Sequence, residues 1–207
     1  MSRNDTIVIR ITGDSGDGVQ LVGEQLTITA ALTGRDVRTL PDFPAEIRAP
    51  AGTVAGVSGF QLAMADQAIF TAGESLDVLV ALNPAALKNS LQYLNQGGLL
   101  LVNEDNMQPK DFEKAGYSAD ELDKVADHYQ IISLPLITQT VDALKSLELT
   151  HAQAKKCKNF YVLGLVLWLF DLPTEHCLTF IEKKFKQNSL IAKANVQTLL
   201  AGYNYAM

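Results

Sequence analysis

The sequence predicts an α/β protein of three layers, a mainly parallel sheet with helices on both faces and a helical C-terminal tail. Short apolar runs bounded by Gly, Pro or Asn alternate with segments of helical period over the first two thirds of the chain. The first run, Ile7 to Ile11, leads into the glycine-rich bend Gly13-Asp14-Ser15-Gly16-Asp17-Gly18, and a long helical segment follows it. Beyond Pro135 the patterning is helical throughout.

Thr6 to Thr12 is apolar at most positions, the mark of a strand buried on both faces. Val19, Val22, Leu26 and Ala30 then form a helical stripe that stops at Gly34, and Gly23 beside the stripe lets the helix approach the sheet closely. Asp36 to Leu40 is a short second strand. The loop after it contains Pro41, Pro44 and Pro50, which stiffen it and rule out a helix. Thr53 to Met64 reads as a strand with irregularities at Gly56 and Gly59. Asp77 to Leu82 is a buried strand ending in Asn83-Pro84, and Pro84 suits the first turn of a helix over Ala85 to Tyr93. Gly97-Gly98 closes that unit, and Leu99 to Asn103 is the next strand.

Glu104 to His128 is polar and poorly periodic, an excursion with one or two short helices, and Gln130 to Leu134 returns to the sheet. Helices are expected over Thr138–Leu147, His151–Phe170 and Pro173–Lys186, with a last one from Ser189 to Leu200 that ends near Gly202.

With 207 residues, 47% hydrophobic and 19% charged, the chain is expected to be one globular domain, 1–207. A net charge of −6, with lysine clusters only at 155–158 and 183–186, argues against a nucleic-acid reader. The N-terminus shows no apolar leader, so a cytoplasmic location is expected. The apolar stretch Phe160 to Phe170 is far shorter than the ~20 residues a membrane span needs, and it reads as a buried helix. Cys157 and Cys177 lack ligand spacing for zinc and are too few for an iron–sulfur cluster.

A bend between a strand and a helix N-terminus attracts anions. Here Gly-x-x-Gly-x-Gly departs from the dinucleotide fingerprint, and Asp14 and Asp17 would face an incoming pyrophosphate. Asp42 is the one acidic residue placed to serve a ribose, and capping of the helix by Asp14 and Asp17 is the plainer reading. No Lys-Ser or Lys-Thr follows for a P-loop, and Ser15 is not in a nucleophile elbow. Gly16-Asp17-Gly18 matches the start of the thiamine-diphosphate signature, but no asparagine occurs between Asn4 and Asn83, so Asp17 is not expected to hold magnesium.

His128, His151 and His176 lie away from the strand ends and read as surface or helix-end residues. Arg48 and Glu46, in the proline-stiffened loop, fit either an anion site or an internal pair that holds the loop. These features describe a binding site at strand carboxyl ends without an evident catalyst.

Ile9 to Gly18, Phe43 to Thr53, Gly56 to Gln61, Asp77 to Lys88 and the ending from Ala194 to Tyr205 resemble the γ domain of 2-oxoacid:ferredoxin oxidoreductases, in particular the N-terminal part of the 2-oxoglutarate-type α subunit. The Phe-Pro-Ala-Glu-Ile-Arg-Ala-Pro run is the most specific part. Gly-Asp-Ser-Gly-Asp-Gly stands where many members have Gly-x-Gly-Gly-Gln-Gly.

The resemblance implies a Rossmann-like domain in a complex that decarboxylates a 2-oxoacid to acyl-CoA and reduces ferredoxin. Thiamine diphosphate, magnesium (Mg) and a 4Fe-4S cluster would lie on the thiamine-binding α domain, the β subunit and elsewhere in the complex. It further implies that this chain, a separate subunit or a fragment of a longer α subunit, binds none of them alone. Its role would be coenzyme A access and subunit assembly, with Gly13, Asp14, Ser15, Gly16, Asp17, Gly18, Glu46, Arg48 and Asn83 near the coenzyme. A purely structural assembly module and a free-standing nucleotide-cofactor oxidoreductase are the alternatives.

Overall fold

A computed structural model describes residues 6–43, 56–116, 118, 120, 122, 124 and 126–205. The expectations for Glu46 and Arg48, and for the start of the third strand, fall outside them. The chain divides into two compact units, one of residues 1–23 and 34–134, the other of residues 24–33 and 135–207.

The first unit holds a six-stranded sheet: β1 (Ile7–Asp14), β2 (Asp36–Asp42), β3 (Val57–Ala65), β4 (Leu76–Ala81), β5 (Leu94–Asn103) and β6 (Gln130–Leu134), in spatial order β2-β3-β1-β4-β5-β6. The pairs β1/β4, β4/β5 and β5/β6 are parallel. β3 is the exception, antiparallel to both β1 and β2, so it alone runs against the other strands. One face carries Val8, Ala63, Leu79, Leu100 and Val102, packed with Leu87 of α2 (Pro84–Ser90) and Phe112 of α3 (Pro109–Lys114). Ile9, Ile11, Leu62, Met64 and Leu101, which alternate with these, are buried as well, as a sheet shielded on both faces requires.

Helix α1 (Val19–Leu32) buries the expected stripe of Val19, Val22, Leu26 and Ala30 completely or nearly so. A Cβ at Gly23 would overlap the Phe60 ring, coming within 2.6 Å of Cδ2, so only glycine lets this turn of α1 lie on β3. β5 begins five residues earlier than the glycine pair suggests, directly after a 3-10 turn at Leu91–Tyr93. Gly97, at φ +77°, absorbs a register shift against β4 between the Leu76 and Val78 pairings, so it bends the strand instead of ending the unit.

The second unit contains α4 (Leu136–Ala143), α5 (His151–Lys155), α6 (Lys158–Leu169), α7 (Glu175–Lys184) and α8 (Ser189–Asn204). The expected helix His151–Phe170 is in fact two. The Lys156 and Cys157 amides donate to the carbonyls of Gln153 and Ala154, three residues back, and this tight turn breaks the run although no Gly or Pro marks it.

α6 is buried from Phe160 to Leu167. It crosses α8 backbone to backbone: a Cβ at Gly164 would overlap the Leu199 carbonyl and lie 2.8 Å from the Tyr203 nitrogen, and one at Gly202 would overlap the Tyr161 carbonyl. Gly202 therefore lies inside the last helix as a packing residue and does not terminate it. Among the described residues no helix is long and apolar enough to cross a membrane.

Candidate functional site

The glycine-rich bend joins β1 to α1 at the carboxyl edge of the sheet. Its turn is closed by the Asp17 amide, which donates to the Asp14 carbonyl at 2.9 Å. The Asp14 amide donates back to Asp17 Oδ2 at 3.1 Å. A Cβ at Gly13 would sit 2.8 Å from that carboxylate oxygen and 3.0 Å from Leu82 Cδ1, so a side chain here would have to displace both. Gly18 adopts φ +72° and its carbonyl accepts from Val22, which starts the helix. Ser15 and Gly16 form the exposed apex, and a Cβ at Gly16 would meet nothing within 4 Å.

Asn83 links the bend to the next strand. Its Oδ1 accepts from the Ala86 amide at 2.8 Å and caps α2, while its Nδ2 donates to Asp14 Oδ1 at 2.8 Å. The two aspartates thus turn their carboxylates into the bend's own framework, Asp17 toward the Asp14 amide and Asp14 toward Asn83. This lessens the repulsion that the sequence implies for an anion, since a hydrogen-bonded carboxylate has part of its charge answered locally.

The structure brings the six bend residues and Asn83 together. It also adds residues that sequence reasoning passed over. Asn103 and Asn106 both donate to the Leu82 carbonyl, at 3.4 and 3.3 Å, and hold the β4 end toward β5. The signal available was the polar Asn103-Glu104-Asp105-Asn106 run after a buried strand.

Arg10, whose side chain is only 12% exposed, reaches across Gly59 to Asp42, Nη2 to Oδ2 at 2.6 Å. Asp42, the candidate ribose ligand of the nicotinamide reading, is therefore already paired. Gln20, in the first turn of α1, donates to the Gly59 carbonyl at 2.8 Å, to Ser58 Oγ at 3.0 Å and to the Asp42 carbonyl at 3.3 Å. Nothing in its helical position announced that role.

Among the described residues no group of three or more His, Cys, Asp or Glu side chains could hold a metal ion. Both cysteines are buried in the second unit. Burial pushes the Cys157 thiol up to about 11. The Cys177 thiol is also raised by burial, against a lowering contact with Thr29 Oγ1 at 3.4 Å. Neither is a ready thiolate.

Two outcomes are expected. Ellman's reagent at pH 8 leaves both thiols unmodified until denaturant is added. Because an unfolded thiol ionises from about 9 while folded Cys157 resists until about 11, stability falls as pH rises across that window, and Cys157→Ala flattens the fall. A denaturation midpoint that stays flat from pH 8.5 to 11 in the unsubstituted chain would contradict the second.

Residues 8–205 match the family described as Pyruvate ferredoxin/flavodoxin oxidoreductase, nearly the whole chain. The chain belongs to that family. Within it, the chain is 44% identical over 205 residues to the 2-oxoglutarate oxidoreductase subunit KorA of Mycobacterium tuberculosis (strain ATCC 25618 / H37Rv), covering 98% of this chain and 31% of that protein. It thus spans about a third of the curated relative's length.

Among solved structures it superposes on the 2-oxoglutarate:ferredoxin oxidoreductase of Magnetococcus marinus, a structure with 2-oxoglutarate, coenzyme A and succinyl-CoA bound. There the TM-score is 0.77 and the identity 20%, over 100% of this chain and 32% of that one. The pyruvate oxidoreductase subunit PORC of Thermotoga maritima gives a TM-score of 0.63 at 22% identity, over 96% of this chain and 95% of that one. The gamma subunit of a keto/oxoacid ferredoxin oxidoreductase of Geobacter sulfurreducens gives 0.60 at 19%, over 95% and 98%. At these identities the structural matches establish the fold, and the family rests on the sequence matches.

Proposed function

We propose that this chain is the γ-type part of a cytoplasmic 2-oxoacid:ferredoxin oxidoreductase, acting on 2-oxoglutarate. The observation that carries the reading is the 44% identity over 98% of the chain to a 2-oxoglutarate oxidoreductase subunit. The complex would oxidatively decarboxylate the 2-oxoacid, pass two electrons to ferredoxin and form the thioester with coenzyme A.

Thiamine diphosphate would supply the carbanion chemistry and a 4Fe-4S cluster the electron path, and this chain's described residues fit neither. Asp17 is turned to a backbone amide, and the two thiols are buried and protonated at neutral pH. On this reading both groups would lie on the thiamine-binding α domain, the β subunit and the remainder of the complex, and the chain's own part would be to receive coenzyme A.

The exposed apex at Ser15 and Gly16, beside the amino end of α1, supports that part, since helix N-terminal amides and a bare glycine backbone accept phosphate oxygens closely. Arg48, in the proline-rich sequence that follows β2, would supply the positive charge. Asn83, which holds Asp14 in place, would form part of the same site, and Glu46 is included with it on the family resemblance alone.

The purified 207-residue chain is expected to show no 2-oxoglutarate-dependent reduction of a low-potential dye. In the assembled complex, Arg48→Ala, by loss of one charge-assisted contact, and Gly16→Asp, by placing a like charge at the apex, are each expected to raise the KM for coenzyme A about tenfold or more. Turnover by the isolated chain would sink the first claim. An unaltered coenzyme A KM in both variants would sink the second.

A further inference from the structure

Gln20, in the first turn of the helix that follows the glycine-rich bend, reaches the ends of two strands at once. Its Nε2 carries two protons and faces three acceptors, the Gly59 carbonyl at 2.8 Å, Ser58 Oγ at 3.0 Å and the Asp42 carbonyl at 3.3 Å. Asp42 is the last residue of β2 and pairs with Gly59 of β3. Ser58 pairs with Gly13 across the β3/β1 ladder, and Thr12 Oγ1 donates to its carbonyl at 3.2 Å. Ser58 Oγ also lies 3.4 Å from the Asp42 carbonyl as a donor. The first turn of α1, which follows Gly18 directly, is thereby pinned to the carboxyl end of β2 and the amino end of β3. From the opposite face of β3, Arg10 fastens Asp42 by its carboxylate.

We propose that Gln20 is a positioning residue for coenzyme A, fixing where the Ser15-Gly16 apex and the α1 amides stand relative to the β2 and β3 ends. This rests on the reading that coenzyme A approaches the bend. Gln20 need not touch the coenzyme. Its side chain spends its donors on the protein's own oxygens, so the effect passes through the placement of the bend.

The chemistry of the contact supplies a discriminating series. An ammonium group has three protons for the same three oxygens, so Gln20→Lys can replace the amide. A carboxylate has none at neutral pH and would repel the carbonyls, so Gln20→Glu cannot. Gln20→Ala removes the link without adding charge.

The test is steady-state kinetics of the assembled complex with each variant, with Gly16→Asp as the reference for the bend itself. Gln20→Ala and Gln20→Glu are expected to raise the KM for coenzyme A about tenfold, equivalent to about 1.4 kcal/mol. The kcat and the KM for 2-oxoglutarate should stay within about twofold, and Gln20→Lys should recover most of the coenzyme A affinity.

If Gly16→Asp raises the coenzyme A KM while Gln20→Ala and Gln20→Glu leave it unchanged, the positioning role is wrong and the reading of the bend survives. If Gly16→Asp and Arg48→Ala have no effect either, both fall together. A loss of kcat and of both KM values that Gln20→Lys does not restore would mark Gln20 as a general structural contact and overturn the proposal.

Discussion

Gly164→Ala is expected to destabilise the chain by about 3 kcal/mol, lowering the melting temperature by roughly 10 °C. Intrinsic helix propensity works in the other direction, since alanine is favoured over glycine inside a helix by about 1 kcal/mol. Packing decides the sign. The new methyl would overlap the Leu199 carbonyl and crowd the Tyr203 nitrogen, and these are backbone atoms of α8 that no side-chain rotation can move. Relief requires α6 and α8 to separate over their whole crossing, which loosens buried residues such as Tyr161, Leu165 and Leu199 together.

Gly202→Ala meets the Tyr161 carbonyl across the same crossing and should cost a similar amount. Once the helices have parted for one methyl the second finds room, so the double variant should lose clearly less than the sum. Thermal unfolding of the three variants checks both statements. A melting temperature for Gly164→Ala equal to or above that of the unsubstituted chain would contradict them.

The second large effect is expected at Gly23→Ala, on stability and on the site together. The added methyl would overlap the Phe60 ring, which is 6% exposed and so lies in the close-packed interior. α1 must then lift from β3, at about 2–3 kcal/mol. Lifting this turn also draws Gln20, three residues earlier, away from the Gly59 carbonyl that its side chain holds at 2.8 Å. On the proposed reading, the coenzyme A KM of the assembled complex should rise along with the loss of stability.

Trimming the obstacle separates the two causes. Phe60→Leu alone costs stability as a smaller core side chain, but combined with Gly23→Ala it should recover part of both losses, a positive coupling in a double-mutant cycle. Equal losses with and without the ring would show that the clash is not the cause.

Much of this is legible in the sequence. The α1 stripe, the close-approach glycine at 23, the buried strands ending at Asn83 and Asn103, and the order of strands and helices all follow from local pattern, because period and burial are written into neighbouring residues. The misreadings share a cause. Gly97 and Gly202 read in the sequence as punctuation, whereas one absorbs a register shift and the other lets two backbones meet; a glycine's neighbours in space are not its neighbours in sequence. The break between α5 and α6 has no breaker residue, so it comes from the packing that the two segments find.

In the site, the bend was legible as a motif, and the inward turn of Asp14 and Asp17 was not. For Asp14 it depends on Asn83, sixty-nine positions away, and for Asp17 on the way the bend turns the Asp14 amide toward it. Gln20 was invisible for the same reason: its acceptors arrive from β2 and β3.

Asn83 has one more property that bears on how long such a protein keeps its shape. Side-chain amides in proteins age by deamidation, in which the backbone nitrogen of the following residue attacks the amide carbon and ammonia leaves. After Asn83 that nitrogen belongs to Pro84, which has no proton to lose and is held in the first turn of α2. The easy route is therefore closed at a position where its product would be harmful, because a carboxylate at residue 83 would still cap the helix but would face Asp14 with a like charge where the amide now donates at 2.8 Å. The Asn-Pro pair that starts α2 thus also protects the strand-end lock from chemical wear.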